Sequence, residues 1–123
     1  MNTDIVIVDE CELIKVSLEK VLKGYRGNIW FYYTLEDALN AFKVSKKQKS
    51  YIFLLDLEVV TYNGLQQLMS VMPKDQCKII LLTSMPITYV EKAINRECIS
   101  GIFAKPFNVK ELAETVRHLS QNL

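Results

Sequence analysis

Cysteine is scarce and poorly spaced in this chain. There are three residues, Cys11, Cys77 and Cys98, an odd count with no C-x-x-C pair. That spacing excludes a disulfide framework and a thiolate zinc site, and it predicts a reducing, cytoplasmic setting. An excess of one charge sign is also missing, with 15 basic against 14 acidic residues and a formal net charge of +1. Such a chain lacks the concentrated basic face that a phosphate backbone requires, so direct nucleic-acid binding is not expected. Long apolar runs are absent. The longest, such as Ile79 to Leu82, fall far short of the roughly 20 residues a membrane helix needs. The start, Met1-Asn2-Thr3-Asp4, has neither a basic n-region nor a signal-peptide stretch. No internal repeat, low-complexity tract or Pro/Gly/Ser linker interrupts the chain. It has no G-x-x-x-x-G-K-[ST] or G-x-G-x-x-G loop to cradle a nucleotide phosphate.

What is present is enough hydrocarbon for a core. Half of the 123 residues are hydrophobic, which fits one domain over residues 1–123 and argues against disorder. Short apolar runs alternate with amphipathic stretches. Asp4 to Asp9, Ile29 to Tyr33, Tyr51 to Asp56, Lys78 to Thr83 and Ile102 to Ala104 read as strands. A first helix runs from Cys11 to Lys23, with Ile14, Leu18 and Val21 on one face and Gly24 as its stop. A second starts at an N-cap, Thr34, with Asp37 three residues on, and carries Leu35, Ala38, Leu39 and Phe42 as its stripe. After a loop, Leu65, Leu68, Met69 and Met72 mark a third helix closed by Pro73. Ile87, Val90 and Ile94 mark a fourth, opened by Pro86. Asn108 caps a fifth, with Glu111 at the capping-box position and Leu112, Val116 and Leu119 facing inward.

The pattern is (βα) five times. Strands one, three and four are continuous apolar runs, the mark of parallel strands covered on both faces. Alternating βα units predict an α/β fold with a doubly wound five-stranded parallel sheet. Ligands of such sheets sit beyond the carboxyl ends of the strands. There the sequence places Asp9 and Glu10, Asp56, Thr83 and Ser84, and Lys105 followed by Pro106. Each has a structural reading by itself. Asp9 suits a helix N-cap, Glu10 a first helical turn, Thr83 and Ser84 caps of the fourth helix, and Lys105 the surface. All of them falling at strand ends by chance is much less probable. Three carboxylates converging from two strands repel one another and raise one another's pKa. A hard divalent cation such as Mg²⁺ resolves that conflict. With a lysine and a hydroxyl nearby, the site suits a phosphoryl group, and a carboxylate there can itself be the nucleophile.

These residues resemble a known family. Ile5 to Glu10, Leu54-Leu55-Asp56 with Gly64 eight residues on, Leu81 to Ser84, and Ala104-Lys105-Pro106-Phe107 match, in order and spacing, the response-regulator receiver domain. This is the CheY-like phosphoacceptor module of two-component signalling. The resemblance covers essentially the whole chain and implies a flavodoxin-like sheet of strand order 2-1-3-4-5. It implies that Asp56 is the phosphoacceptor, and that Asp9, Glu10, Asp56 and the backbone carbonyl of Glu58 bind Mg²⁺. Thr83 becomes the hydroxyl that moves onto the phosphoryl group, and Lys105 its cationic partner. The Lys105–Pro106 bond is expected to be cis. The implied partners are a sensor histidine kinase or phosphotransfer protein, and an output domain or target docking at helix four, strand five and helix five. Lys92, Arg96, Glu97 and Lys110 are exposed candidates on that face. Homodimerisation, and membership of a longer regulator, stay open.

Four positions depart from the family pattern. Glu10 replaces the commoner aspartate, and its longer arm shifts the metal or reaches it through water. Val60 replaces a proline, which predicts a looser loop after the acceptor. Ile102 stands where a switch tyrosine or phenylalanine is common. Met85, two residues past Thr83, places an apolar side chain at the expected entry to the phosphoryl group and predicts slow dephosphorylation. The competing classes are weaker. A flavin or nucleotide binder needs a phosphate loop where Asp9 and Glu10 stand. An aspartyl hydrolase of the haloacid dehalogenase type needs aspartate where Glu58 stands. A receiver-like adaptor that signals by binding alone is favoured by Ile102 and Val60 but opposed by the full acidic set. His118, the basic group Lys43, Lys46, Lys47 and Lys49, and Cys98 read as surface or packing residues. Trp30 and its neighbours read as packing on an edge strand.

Overall fold

The computed structural model describes residues 3–42, 49–72 and 74–123. Lys43, Lys46, Lys47 and Pro73 lie outside these residues, as does the side chain of Phe42. Five strands, β1 (Thr3–Val8), β2 (Ile29–Tyr32), β3 (Ser50–Asp56), β4 (Cys77–Thr83) and β5 (Gly101–Ala104), alternate with five helices. The helices are α1 (Leu13–Val21), α2 (Leu35–Phe42), α3 (Leu57–Val71), α4 (Ile87–Ala93) and α5 (Val109–Ser120). All neighbouring strands pair in parallel, in the order β2-β1-β3-β4-β5. Among the described residues no helix is long and apolar enough to cross a membrane.

The central strands are buried on both faces because their side chains alternate between two cores. Val6, Val8, Phe53, Leu55, Ile79 and Leu81 pack with Leu35, Ala38, Leu65, Leu68 and Val90 of α2, α3 and α4. Ile5, Ile7, Ile52, Leu54, Ile80 and Leu82 pack with Ile14, Leu18, Leu112, Ala113 and Val116 of α1 and α5. Each Val, Leu, Ile or Phe among them contributes about 1.5–3 kcal/mol by leaving water. The continuous apolar runs therefore encode two hydrophobic layers rather than one.

The caps follow the sequence. Thr34 Oγ1 accepts from the Asp37 amide at 3.1 Å. Asn108 Oδ1 accepts from the amides of Lys110 at 2.9 Å and Glu111 at 3.3 Å. Gly24, at φ +85°, follows the end of α1.

Three expectations need correction. No loop separates Asp56 from the third helix, because helical structure begins at Leu57. Asp56 itself caps that turn, and the helix breaks at Thr61 (φ 66°, ψ 167°). Thr61 Oγ1 then accepts from the Gly64 amide at 3.3 Å and restarts it. Nor does Val60 loosen this segment. It is buried in the core with Leu35, Leu57 and Leu65, so packing supplies the restraint that proline's ring gives elsewhere. Gly64 allows this approach, since a Cβ there would lie 3.1 Å from both Leu35 Cδ2 and Val60 Cγ1. Finally, Lys49 is not a free surface cation but pairs at 2.8 Å with Asp4, which is buried. The same carboxylate accepts from the Asn28 amide at 2.9 Å and the Trp30 indole at 3.1 Å. Burial raises the Asp4 pKa, but these donors and the lysine charge outweigh it and hold the carboxyl below its ordinary value.

Candidate functional site

The carboxyl edge of the sheet gathers the polar residues. Asp56 ends β3, Thr83 ends β4, Asp9 follows β1 and Lys105 follows β5. Register sets their heights. Val8 pairs with Leu55, so Asp9 and Asp56 stand level. Asp56 pairs with Leu82, so Thr83 stands one residue higher. A backbone bond of 2.7 Å from the Lys105 amide to the Thr83 carbonyl carries the pairing of β4 and β5 up to the lysine. Lys105–Pro106 is a cis peptide.

Asp56 is fully buried, and both of its oxygens are engaged. Oδ1 accepts from the Glu58 amide at 3.0 Å. Oδ2 accepts from Lys105 Nζ at 2.9 Å. The ammonium also lies 3.3 Å from Asp9 Oδ2, so one cation bridges two buried carboxylates. Burial alone depresses the Lys105 pKa. The bond to Asp56 and the charges of Asp9 and Asp56 more than reverse this and hold it above its ordinary value. Asp9 Oδ1 accepts from the Cys11 amide at 3.0 Å, which fixes the carboxylate from below.

Among the described residues, Glu10, Asp56 and Glu58 each offer a carboxylate oxygen, all within 4.8 Å of one another, so that they could share one cation. Asp9, the remaining carboxylate of the expected set, meets the same ammonium as Asp56. Three hard oxygen donors on an open edge suit a small divalent cation that retains several waters.

Glu58 is the residue the sequence undervalued. The resemblance implies a role only for its backbone carbonyl, yet its side chain enters the site and accepts from the Ser84 amide at 2.8 Å. Hydrogen bonding from the Ser84 side chain and then from its amide, with help from the Lys105 charge, holds the Glu58 carboxyl below its ordinary pKa against the opposing effect of burial. The available signal was helical geometry. A carboxylate two residues past the acceptor, on the first turn of a helix capped by that acceptor, lies over the same edge. Thr83 is buried, and its hydroxyl oxygen accepts from the Met85 amide at 2.9 Å. Thr83 and Ser84 therefore do not cap α4, whose N-cap position is Pro86. Met85 itself is 51% exposed at the rim. Ile102 is half-buried against the core. Lys92, Arg96, Glu97, Lys110 and His118 are exposed, and Arg96 pairs with Glu91.

Solved structures share this fold. A two-component response regulator from Legionella pneumophila superposes with a TM-score of 0.79 at 18% identity, over 99% of this chain and 100% of that one. A response regulator from Thermotoga maritima gives 0.78 at 14% identity, over 98% and 99%. DrrB of Thermotoga maritima, an OmpR/PhoB homolog, gives 0.72 at 21% identity, over 98% of this chain but 54% of that one. No curated protein matches the sequence. The family model for the response regulator receiver domain matches residues 5–117. The length of that match, on a chain with this sheet order and this acidic edge, makes the protein a member of the response regulator receiver family.

Proposed function

We propose that the chain is a phosphorylation-controlled switch, in which Asp56 accepts a phosphoryl group from a histidine kinase or phosphotransfer protein. One observation supports it most. Asp56 is a buried carboxylate with a lysine on one oxygen and a backbone amide on the other, at the edge where three carboxylates converge. A carboxylate nucleophile needs no general base. An Asp56 oxygen attacks phosphorus, the phosphorus–nitrogen bond of a phosphohistidine breaks, and the leaving imidazole nitrogen keeps the electron pair and takes a proton from solvent. Lys105, freed from Asp56, pairs with a phosphoryl oxygen, and Thr83 offers its hydroxyl. Glu10, Asp56 and Glu58, with Asp9 beside them, would hold Mg²⁺, which would supply the positive charge that such a transfer requires.

The chain catalyses only its own phosphorylation and dephosphorylation, in the cytoplasm. Output is read at α4, β5 and α5, where Lys92, Arg96, Glu97 and Lys110 stand exposed, by an attached domain, a separate target or a second copy. Ile102 has no ring to carry the switch, so the movement passes through Thr83 and the β4–α4 connection. Intact mass after incubation with Mg²⁺ and acetyl phosphate tests the chemistry. The expected gain is one phosphoryl group, lost in Asp56→Asn and without Mg²⁺. Persistence of the gain in Asp56→Asn overturns it. No gain from acetyl phosphate or from a phosphorylated histidine donor leaves the reading of an adaptor that signals by binding alone.

A further inference from the structure

We propose that the Glu58 side chain is a latch on the β4–α4 connection. Its carboxylate holds the Ser84 amide in the resting protein and releases it when the acidic edge takes up a divalent cation or Asp56 takes up a phosphoryl group. The inference rests on the proposed phosphoacceptor role of this site.

Glu58 touches the acceptor and the connection at once. Its amide donates to Asp56 Oδ1 at 3.0 Å, and its carboxylate accepts from the Ser84 amide at 2.8 Å. Ser84 directly follows Thr83, and the next amide, that of Met85, is taken by Thr83 Oγ1 at 2.9 Å. The two amides that begin the β4–α4 connection are therefore both held by side-chain oxygens from the carboxyl edge. Neither is free for another anion while these bonds last.

The Glu58 carboxylate also belongs to the donor set with Glu10 and Asp56, within 4.8 Å. One carboxylate thus has two competing uses. Turned to the connection, it fixes Ser84. Turned to a cation beside Asp56, it leaves the Ser84 amide open. A phosphoryl group on Asp56 pushes in the same direction, because it adds negative charge beside Glu58 and supplies oxygens that compete for the same amide. Cation and phosphoryl group would then both act on the segment that carries Thr83, through a side chain that is not itself phosphorylated. Glu58 is in this sense a positioning residue. Its exposure keeps the bond weak enough to exchange.

The test is amide-resolved NMR of the full chain, with Mg²⁺ as the probe, on the wild type, Glu58→Ala and Glu58→Gln. Without Mg²⁺, the Ser84 amide of Glu58→Ala is expected to exchange with solvent about tenfold faster than in the wild type, a change within the range of one charge-assisted hydrogen bond. Glu58→Gln, which keeps an acceptor without the charge, should retain part of the protection. On titration of the wild type, the Ser84 amide should shift with the same midpoint as the Asp9 and Glu10 amides. In Glu58→Ala it should stop responding while theirs still move. A Ser84 amide that stays still while those of Asp9 and Glu10 shift overturns the latch alone. Unchanged Ser84 exchange in Glu58→Ala also overturns it. No Mg²⁺ response at any amide overturns both the latch and the metal role on which the proposed function rests.

Discussion

Replacing Lys105 by methionine removes a cation that Asp9 and Asp56 share while keeping most of the side chain's length. The two contacts are 2.9 and 3.3 Å. At an effective dielectric constant of about 20, Coulomb's law gives gross attractions of about 6 and 5 kcal/mol for them. Most of that is offset by the cost of drying the charges, and losing one partner of a buried pair typically costs about 3–5 kcal/mol. Lys105 retains 24% of its side-chain exposure, so water replaces part of it. Lys105→Met is therefore expected to lose about 2–4 kcal/mol in urea denaturation at pH 7 with EDTA present. Because the Lys105 pKa is raised, its contribution is complete below the ordinary lysine value and fades only as pH rises through the higher folded value. Saturating Mg²⁺ should also narrow the deficit, and the variant should bind Mg²⁺ more tightly, since no ammonium competes for the acids. A variant within about 0.5 kcal/mol of wild type at pH 7 in EDTA would refute the idea that Lys105 is the counter-ion of the buried pair.

Other outcomes follow from the same geometry. Asp4→Asn should cost about 1–3 kcal/mol at pH 7, the range for hydrogen bonds to a buried charge. Its deficit is complete above the ordinary aspartate pKa and should fade as pH falls through the lowered folded value. Equal deficits at pH 7 and at pH 2.5 in urea titrations would contradict that. Gly27→Ala places a Cβ 1.9 Å from the Thr3 carbonyl oxygen and 2.8 Å from its carbon, so β1 must shift. A loss of about 3 kcal/mol in thermal unfolding is expected, and an unchanged midpoint would sink the contact. Met85→Glu should shorten the lifetime of the phosphorylated form by admitting and orienting water at the rim. An unchanged lifetime, followed by intact mass, removes Met85 as the barrier.

The layers and the strand-end residues were legible because each rests on a short-range rule. Uninterrupted apolar runs mean two covered faces, and polar residues that close such runs fall on one edge of a parallel sheet. Asp9, Asp56, Thr83 and Lys105 were found in this way, and register brings them to one edge. What stayed hidden depends on long contacts. The Asp4 carboxylate meets Asn28, Trp30 and Lys49, up to 45 residues away in sequence, and nothing local marks it as a buried hub. Val60 read as a missing proline because its burial depends on α2, which local pattern does not place. Glu58 was legible in position but not in use, since its partner, Ser84, belongs to a different βα unit.

The place of the phosphoryl group is the most direct test. The chain is incubated with Mg²⁺ and a phosphoryl donor, reduced with borohydride and digested. Borohydride converts an aspartyl phosphate, but not a free carboxylate or a phosphorylated hydroxyl, to homoserine. Tandem mass spectrometry should then find homoserine at position 56 and nowhere else. Homoserine at position 9, or phosphate retained on a hydroxyl such as that of Thr83, would show that the buried carboxylate between Lys105 and the Glu58 amide is not the acceptor.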